Sequence, residues 1–520
     1  MKRENKVTVD KKEKIILNFA PMGLVQKDAF RTMIISYLGI VLGYLNKVFL
    51  FLLLFNPTQI GLITLIISIG TLFAQLANFG AIFTVWKFFP FFKNPEKKHF
   101  GFLPFILLVV SCGILVFTIL YVVFRNQIQH EYSENSPLFN NYYYWTLPIG
   151  ISYVIFLVLE AYLRSLYKNI VAVFAYEIGL RVMTSLLLIL VIPGWVSFDS
   201  FVILHSLLYL IPTIIVLVYL YRLKELNLAF SAIQISKRFK KIIFQFSSFY
   251  YLNTLGAVLV NSLDVMMIAQ LIGLEGVALY STVILLSSVI QVPYRSIIRV
   301  SSPLVSDYWK HREFDKMKVL YQKVSSVSLV IGLAMFILAW VNIDFLFSFF
   351  KTKFPDYQDG IWVFLFIMIG KLVDMYFGLN GAIFTTSKKY KFELIFTVVL
   401  IGIVYSLNLV MIPKWGIAGA AISTSIALLV FNFGRLIFIW VSYKIHPFTK
   451  NQFIIIGLGV VTLVAGHFTQ GLINNKWIQC LFESTLVIIL FFVPIIVFSL
   501  EKETINYMKK ALTFIRSKIG

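Results

Sequence analysis

The sequence is short of charge. Only 13% of its 520 residues are Asp, Glu, Lys or Arg, whereas 59% are hydrophobic and 17% aromatic, a balance outside the range of soluble globular domains. Cysteine is nearly absent. Cys112 and Cys480 lie far apart inside apolar stretches, which excludes a disulfide framework and any CxxC metal site. The six histidines, His99, His130, His205, His311, His446 and His467, have neither HExxH nor any paired spacing, so no metal and no cofactor is expected. No GxxxxGK[ST], GxSxG or DxD motif occurs, and Gly370-Lys371 lacks the rest of a phosphate loop. The longest polar stretch on the external side, Arg125 to Tyr142, leaves no room for a domain that handles a glycosyl donor. The chain therefore reads as a non-enzyme, with a membrane glycan polymerase or ligase as the enzymatic alternative.

What the sequence has is apolar runs of about 20 residues, the length that crosses a hydrocarbon core of about 30 Å as helix. Fourteen are found, at 33–55, 60–86, 103–124, 143–163, 170–191, 201–221, 246–271, 277–303, 327–350, 361–384, 394–412, 417–441, 453–467 and 478–500. This predicts an all-α polytopic membrane protein. The formal charge of +22 sits in short tracts between the runs, the pattern of a membrane protein and not of a nucleic-acid binder. With the N-terminus inside, cytoplasmic segments hold 35 of the 46 Lys and Arg and external loops 5, so both termini are expected in the cytoplasm. Residues 1–28 begin with six basic residues and only a brief apolar run, and read as a basic arm near the lipid surface, not a secretory signal.

Weak internal similarity divides the spans. Tyr37-Leu38 and Gly61 are echoed by Tyr251-Leu252 and Gly276 at offsets of 214 and 215, and Ile192-Pro193-Gly194-Trp195 by Ile412-Pro413-Lys414-Trp415 at 220. Six spans per copy is an even number, so the copies run the same way and are related by a pseudo-two-fold along the membrane normal. The expected organisation is an N-lobe at 29–221, a basic linker at 222–245, a C-lobe at 246–441, and a helix pair with a basic tail at 442–520.

Polar residues inside these runs are costly, at least about 2.5 to 3.5 kcal/mol for a charge at the bilayer centre, and so mark candidate sites. Phe246 to Ser306 is the richest stretch. Asn253, Asn261 and Asp264 fall near one face of the seventh span; Pro293 should bend the eighth just before Arg295 and Arg299, which are four apart. Arg299 is near enough to the cytoplasmic end to snorkel, and Arg295 is not. Lys371 and Asp374, three apart in the tenth span, either pair locally or serve a cavity. In the N-lobe, Asn46 and Lys47 lie mid-span, Glu177 and Arg181 share a face and can pair, and Glu160 and Arg164 lie near a span end. Six cations (Lys47, Arg181, Arg295, Arg299, Lys371, Arg435) against four anions (Glu160, Glu177, Asp264, Asp374) lean toward an anionic substrate.

Met22-Gly23-Leu24-Val25-Gln26-Lys27, Tyr37-Leu38-Gly39, Gly43-Tyr44-Leu45-Asn46, Trp86-Lys87-Phe88-Phe89-Pro90 and the run from Ile412 through Ala421 resemble the bacterial polysaccharide-unit flippases. These belong to the multidrug/oligosaccharidyl-lipid/polysaccharide exporter superfamily. The resemblance implies two six-helix lobes around a central cavity plus two further helices. It also implies alternating-access export of an undecaprenyl-diphosphate-linked oligosaccharide across the bacterial inner membrane, with lipids and glycan polymerases as partners. Arg295 and Arg299 would meet the diphosphate, and Lys47, Asn46, Lys371 and Asn261 would line the cavity. Asp264, Glu177 and Asp374 become candidates for coupling to H+ or Na+. A cation-coupled drug exporter and a lipid II flippase are the related alternatives.

Overall fold

Peptide groups in hydrocarbon must bond within their own segment, and every regular element among the described residues is a helix. The structure is a computed structural model. It describes residues 22–501 apart from 95, 230–232, 234, 349, 352, 355 and 356, and for 22–30, 249, 250, 253–255, 257, 258 and 261 it describes the backbone alone. The expectations for residues 1–21 and for the tail beyond 501 lie outside the described residues.

Among the described residues twelve helices are long and apolar enough to cross a membrane, and the protein is a multi-pass membrane protein. Twelve differs from fourteen for two reasons. Phe392–Tyr443 is one 52-residue helix that turns at Trp415 and Gly416 and contains two predicted spans. Lys237–Leu271 contains the seventh, but part of it is described by backbone alone.

Several spans are interrupted where polar or small residues fall. The second predicted span is two helices, Pro57–Ala77 and Ala81–Phe92. Asn78 Oδ1 accepts the Gly80 amide at 2.8 Å, and Gly80 takes a left-handed φ of 75° that an L side chain rarely adopts. The eighth is Leu274–Ser287, a tight turn at Ser288–Ile290, and Gln291–His311. The break thus precedes Pro293 instead of following from it: Pro293 sits in the first turn of the second helix, where its missing N–H costs no hydrogen bond. The tenth is Tyr357–Phe377 and Leu379–Thr386, parted at Gly378. Wide π-helical turns occur at Leu45–Leu50 and Ala175–Gly179, carrying Asn46, Lys47 and Glu177, as insertions at functional positions often do.

The chain clusters into two compact units. Unit 1 holds the described residues through Leu54, Ile69–Arg125 and Tyr142–Tyr251. Its core is aromatic: the ring of Phe89 lies 4.9 Å from Tyr162, and Phe92 stacks on Phe102 at 5.0 Å. Unit 2 holds Phe55–Ser68, Asn126–Asn141 and the described residues from Leu252. Within it Gln452 fixes the Lys450–Thr469 helix. Gln452 Nε2 donates to Ser326 Oγ at 2.9 Å and Pro447 O at 3.0 Å, and its Oε1 accepts from Tyr376 Oη at 2.9 Å. A buried amide so fully bonded ties three helices at little net cost.

Candidate functional site

Unit 2 encloses a cavity of about 590 Å³, walled by residues from the seventh, eighth, tenth, eleventh and twelfth predicted spans. Six of the residues on its wall are acidic or basic: Asp264, Arg295, Lys371, Asp374, Glu393 and Arg435. Three cations face three carboxylates, so the wall sums to zero when all are ionised, and what matters is which of them are already partnered.

Asp264 is enclosed, at 3% exposure. Its Oδ2 accepts from Tyr280 Oη at 2.6 Å and Thr424 Oγ1 at 2.7 Å, and its Oδ1 from Asn408 Nδ2 at 2.8 Å. Three neutral donors solvate the carboxylate without neutralising it. The amide oxygen of Asn408 is buried beside it with no hydrogen-bond partner among the described residues, which leaves an acceptor next to a formal negative charge.

Asp374 has a thinner shell. Asn432 Nδ2 donates to its Oδ1 at 3.3 Å, and Asn380 Nδ2 donates in turn to Asn432 Oδ1 at 3.2 Å. The local Lys371–Asp374 pair that their spacing allows is not formed: Lys371 Nζ instead donates to the Ile284 carbonyl at 3.3 Å. Arg295 is exposed on the cavity side of its helix and has no salt bridge among the described residues. Glu393 and Arg435 do pair, through Arg435 Nε to Glu393 Oε2 at 3.2 Å and a shorter contact from Nη2 to Oε1.

The remaining candidates fall elsewhere. Arg299, one turn beyond Arg295, is exposed and off the cavity wall, as a snorkelling arginine would be. The side chain of Asn261 lies outside the described residues. Asn46, Lys47 and Glu177 form a separate cluster in unit 1. There Arg181 pairs with Glu177, the buried Asn46 Nδ2 donates to Arg181 O at 2.8 Å, and Ser185 Oγ donates to Asn46 Oδ1 at 2.6 Å. Gly39 and Gly43 make room for that guanidinium: a Cβ on Gly39 would lie 2.6 Å from Arg181 Nη1. The pairing expected from the four-residue spacing is present, and Lys47 has no polar partner among the described residues.

Sequence reasoning missed Glu393, which lies one residue before a predicted span, and Tyr280, Asn408, Thr424 and Asn432, which are uncharged. Their signal was their helical register within apolar runs, visible only once Asp264 and Asp374 are placed.

Comparison with known proteins bears on the fold. A family model described as MatE matches residues 250–410, which include Asp264, Arg295, Lys371, Asp374, Glu393 and Asn408. In three dimensions the chain is similar to a lipid II flippase, MurJ, in its inward closed conformation, with a TM-score of 0.68 and 15% identity over 90% of this chain and 98% of that one. It is also similar to an inward-facing multidrug resistance MATE family transporter of the MOP superfamily, with a TM-score of 0.53 and 15% identity over 88% and 98%. The fold is therefore the one these transporters share. No curated protein matches the sequence.

Proposed function

We propose that the protein is a flippase that carries an undecaprenyl-diphosphate-linked oligosaccharide across the bacterial inner membrane by alternating access, with both termini in the cytoplasm. The reading is carried by one observation: Arg295 and Lys371 stand on the same cavity wall, and neither forms a salt bridge with a carboxylate among the described residues. A diphosphate offers what they lack. Guanidinium and ammonium donors bind phosphate oxygens with charge assistance, each contact contributing about 1.5 to 3 kcal/mol.

Asp264 supplies coupling. With all six groups ionised the wall is neutral; a proton or Na+ at Asp264 makes it net positive and raises its affinity for an anion. The unpartnered Asn408 oxygen beside the carboxylate is the second ligand such a cation would find. Cation and anion then favour each other's binding by the same factor.

A second reading, a cation-coupled drug exporter, draws on the equal number of carboxylates on the wall and on the MatE match. A lipid II flippase would use the same diphosphate chemistry with a different glycan. The test is surface glycan export by cells carrying Arg295→Ala or Lys371→Ala as the only copy. At equal protein level, each should reduce export at least about tenfold, the equivalent of about 1.4 kcal/mol. Export at the wild-type rate, together with efflux of lipophilic cations that Asp264→Asn abolishes, would move the assignment to the drug exporter.

A further inference from the structure

Arg435 is the one cation on the cavity wall that pairs with a carboxylate among the described residues, and the way it is held differs from a structural ion pair. Its guanidinium carbon lies 3.8 Å from the centre of the Phe431 ring, close enough for the ring face to hold it in place without a carboxylate. Only the Nε and Nη2 edge meets Glu393. The Nη1 edge has no hydrogen-bond partner among the described residues, and both Arg435 and Phe431 face the cavity. An arginine in a membrane-embedded cavity is expensive without an anion beside it. Substrate-free protein therefore needs an internal one.

Glu393 is suited to be temporary. It lies in the first turn of the Phe392–Tyr443 helix, where the helix dipole favours a carboxylate wherever its side chain points. Lys388, Lys389 and Lys391 precede it in the chain, and all three are exposed. Glu393 thus has a second place to go in which its charge is still compensated, whereas Arg435, held over Phe431, has none. A buried pair of this kind adds little stability over an apolar one, so stability does not account for its presence.

Building on the diphosphate reading above, we propose that Glu393 is a resident anion, that Arg435 is an additional substrate-phosphate-binding residue of the cavity, and that the incoming diphosphate takes the place of the Glu393 carboxylate. Substrate entry is then an exchange of anions on one guanidinium, and Glu393 sets a threshold that weakly bound monoanions do not cross. Glu393 itself never touches substrate; it is a positioning residue, and its removal should improve binding.

The test is calorimetric titration of inorganic pyrophosphate into the purified full chain in detergent, for wild type, Glu393→Gln, Arg435→Gln, the double variant and Arg295→Gln. Glu393→Gln should bind at least about tenfold more tightly than wild type, the gain should vanish in the double variant, and Arg435→Gln alone should bind more weakly. Glu393→Asp, which shortens the pair without removing its charge, should fall between wild type and Glu393→Gln and serves if the glutamine variant does not fold. Affinity of Glu393→Gln or Glu393→Asp equal to or below wild type, or a gain that survives in the double variant, overturns the proposal. If that happens while Arg295→Gln still weakens binding, the diphosphate reading stands without it. If no folded variant and no wild-type protein binds pyrophosphate, both fall.

Discussion

Substitutions at Asp264 separate its contribution to stability from the coupling role proposed for it. Tyr280, Thr424 and Asn408 all donate to its carboxylate. Removing it in Asp264→Ala leaves three enclosed donors without an acceptor, at about 1 to 3 kcal/mol each, and the variant should melt well below wild type in detergent. Asp264→Asn should not. Its amide oxygen still serves Tyr280 and Thr424, and its NH2 finds the unused Asn408 oxygen once that amide turns over, so the melting temperature should change by the equivalent of about 1 kcal/mol or less. Flipping by this variant in proteoliposomes should no longer respond to an imposed proton or Na+ gradient. A gradient response as large as wild type would remove Asp264 from the coupling role. This residue was legible in the sequence because a lone carboxylate in an apolar run is conspicuous. Its donors were not, because a Tyr, a Thr and an Asn in a membrane helix have ordinary snorkelling or packing explanations, and only the packing of three helices makes them converge. Glu393 and Arg435 went unpaired for the same reason: they are 42 positions apart, and no spacing rule joins them.

At the scale of elements, hydropathy located most of the membrane helices but not where they break. Helix Phe314–Val341 begins 13 residues before the predicted 327, because its first turns are polar and a hydrophobicity window does not register polar helix. The polar stretch Arg125 to Tyr142 contains the short helices Arg125–Ser133 and Pro137–Tyr142 for the same reason. Breaks depend on tertiary contact. At Gly378 a Cβ would lie 1.6 Å from the Tyr294 hydroxyl and 2.4 Å from its ring carbon Cζ, so the split in the tenth span accommodates a tyrosine from the eighth, adjacent to Arg295. Gly378→Ala should therefore destabilise by about 1 to 3 kcal/mol, the usual cost of overpacking, and weaken pyrophosphate binding through displacement of the Tyr294–Arg295 segment. Tyr294→Ala relieves the clash. The double variant should be more stable than Gly378→Ala alone, a coupling energy of opposite sign to the single effects. Strictly additive losses in thermal melting would mean that Gly378 serves chain geometry and not this contact.

For the whole molecule the decisive quantity is where its charge lies. A net charge of +22 with 35 of 46 basic residues assigned to one side is the basis of the orientation proposed above, because each Lys or Arg kept next to an anionic leaflet gains about 1 kcal/mol that it would lose on translocation. On the flippase reading proposed above, orientation also determines which way the unit-2 cavity must present Arg295 and Lys371 to receive a diphosphate made in the cytoplasm. Only two cysteines occur, Cys112 and Cys480, so a cysteine-free background needs only Cys112→Ser and Cys480→Ser, neither of which removes a hydrogen-bonded or paired group. In that background Lys388→Cys and Lys476→Cys place thiols at exposed positions on opposite predicted sides. In intact cells a membrane-impermeant maleimide should label Lys476→Cys and leave Lys388→Cys untouched until the membrane is opened. The reverse pattern would put the basic segments outside. It would also leave the cavity cations to be explained by a substrate that arrives from the other face.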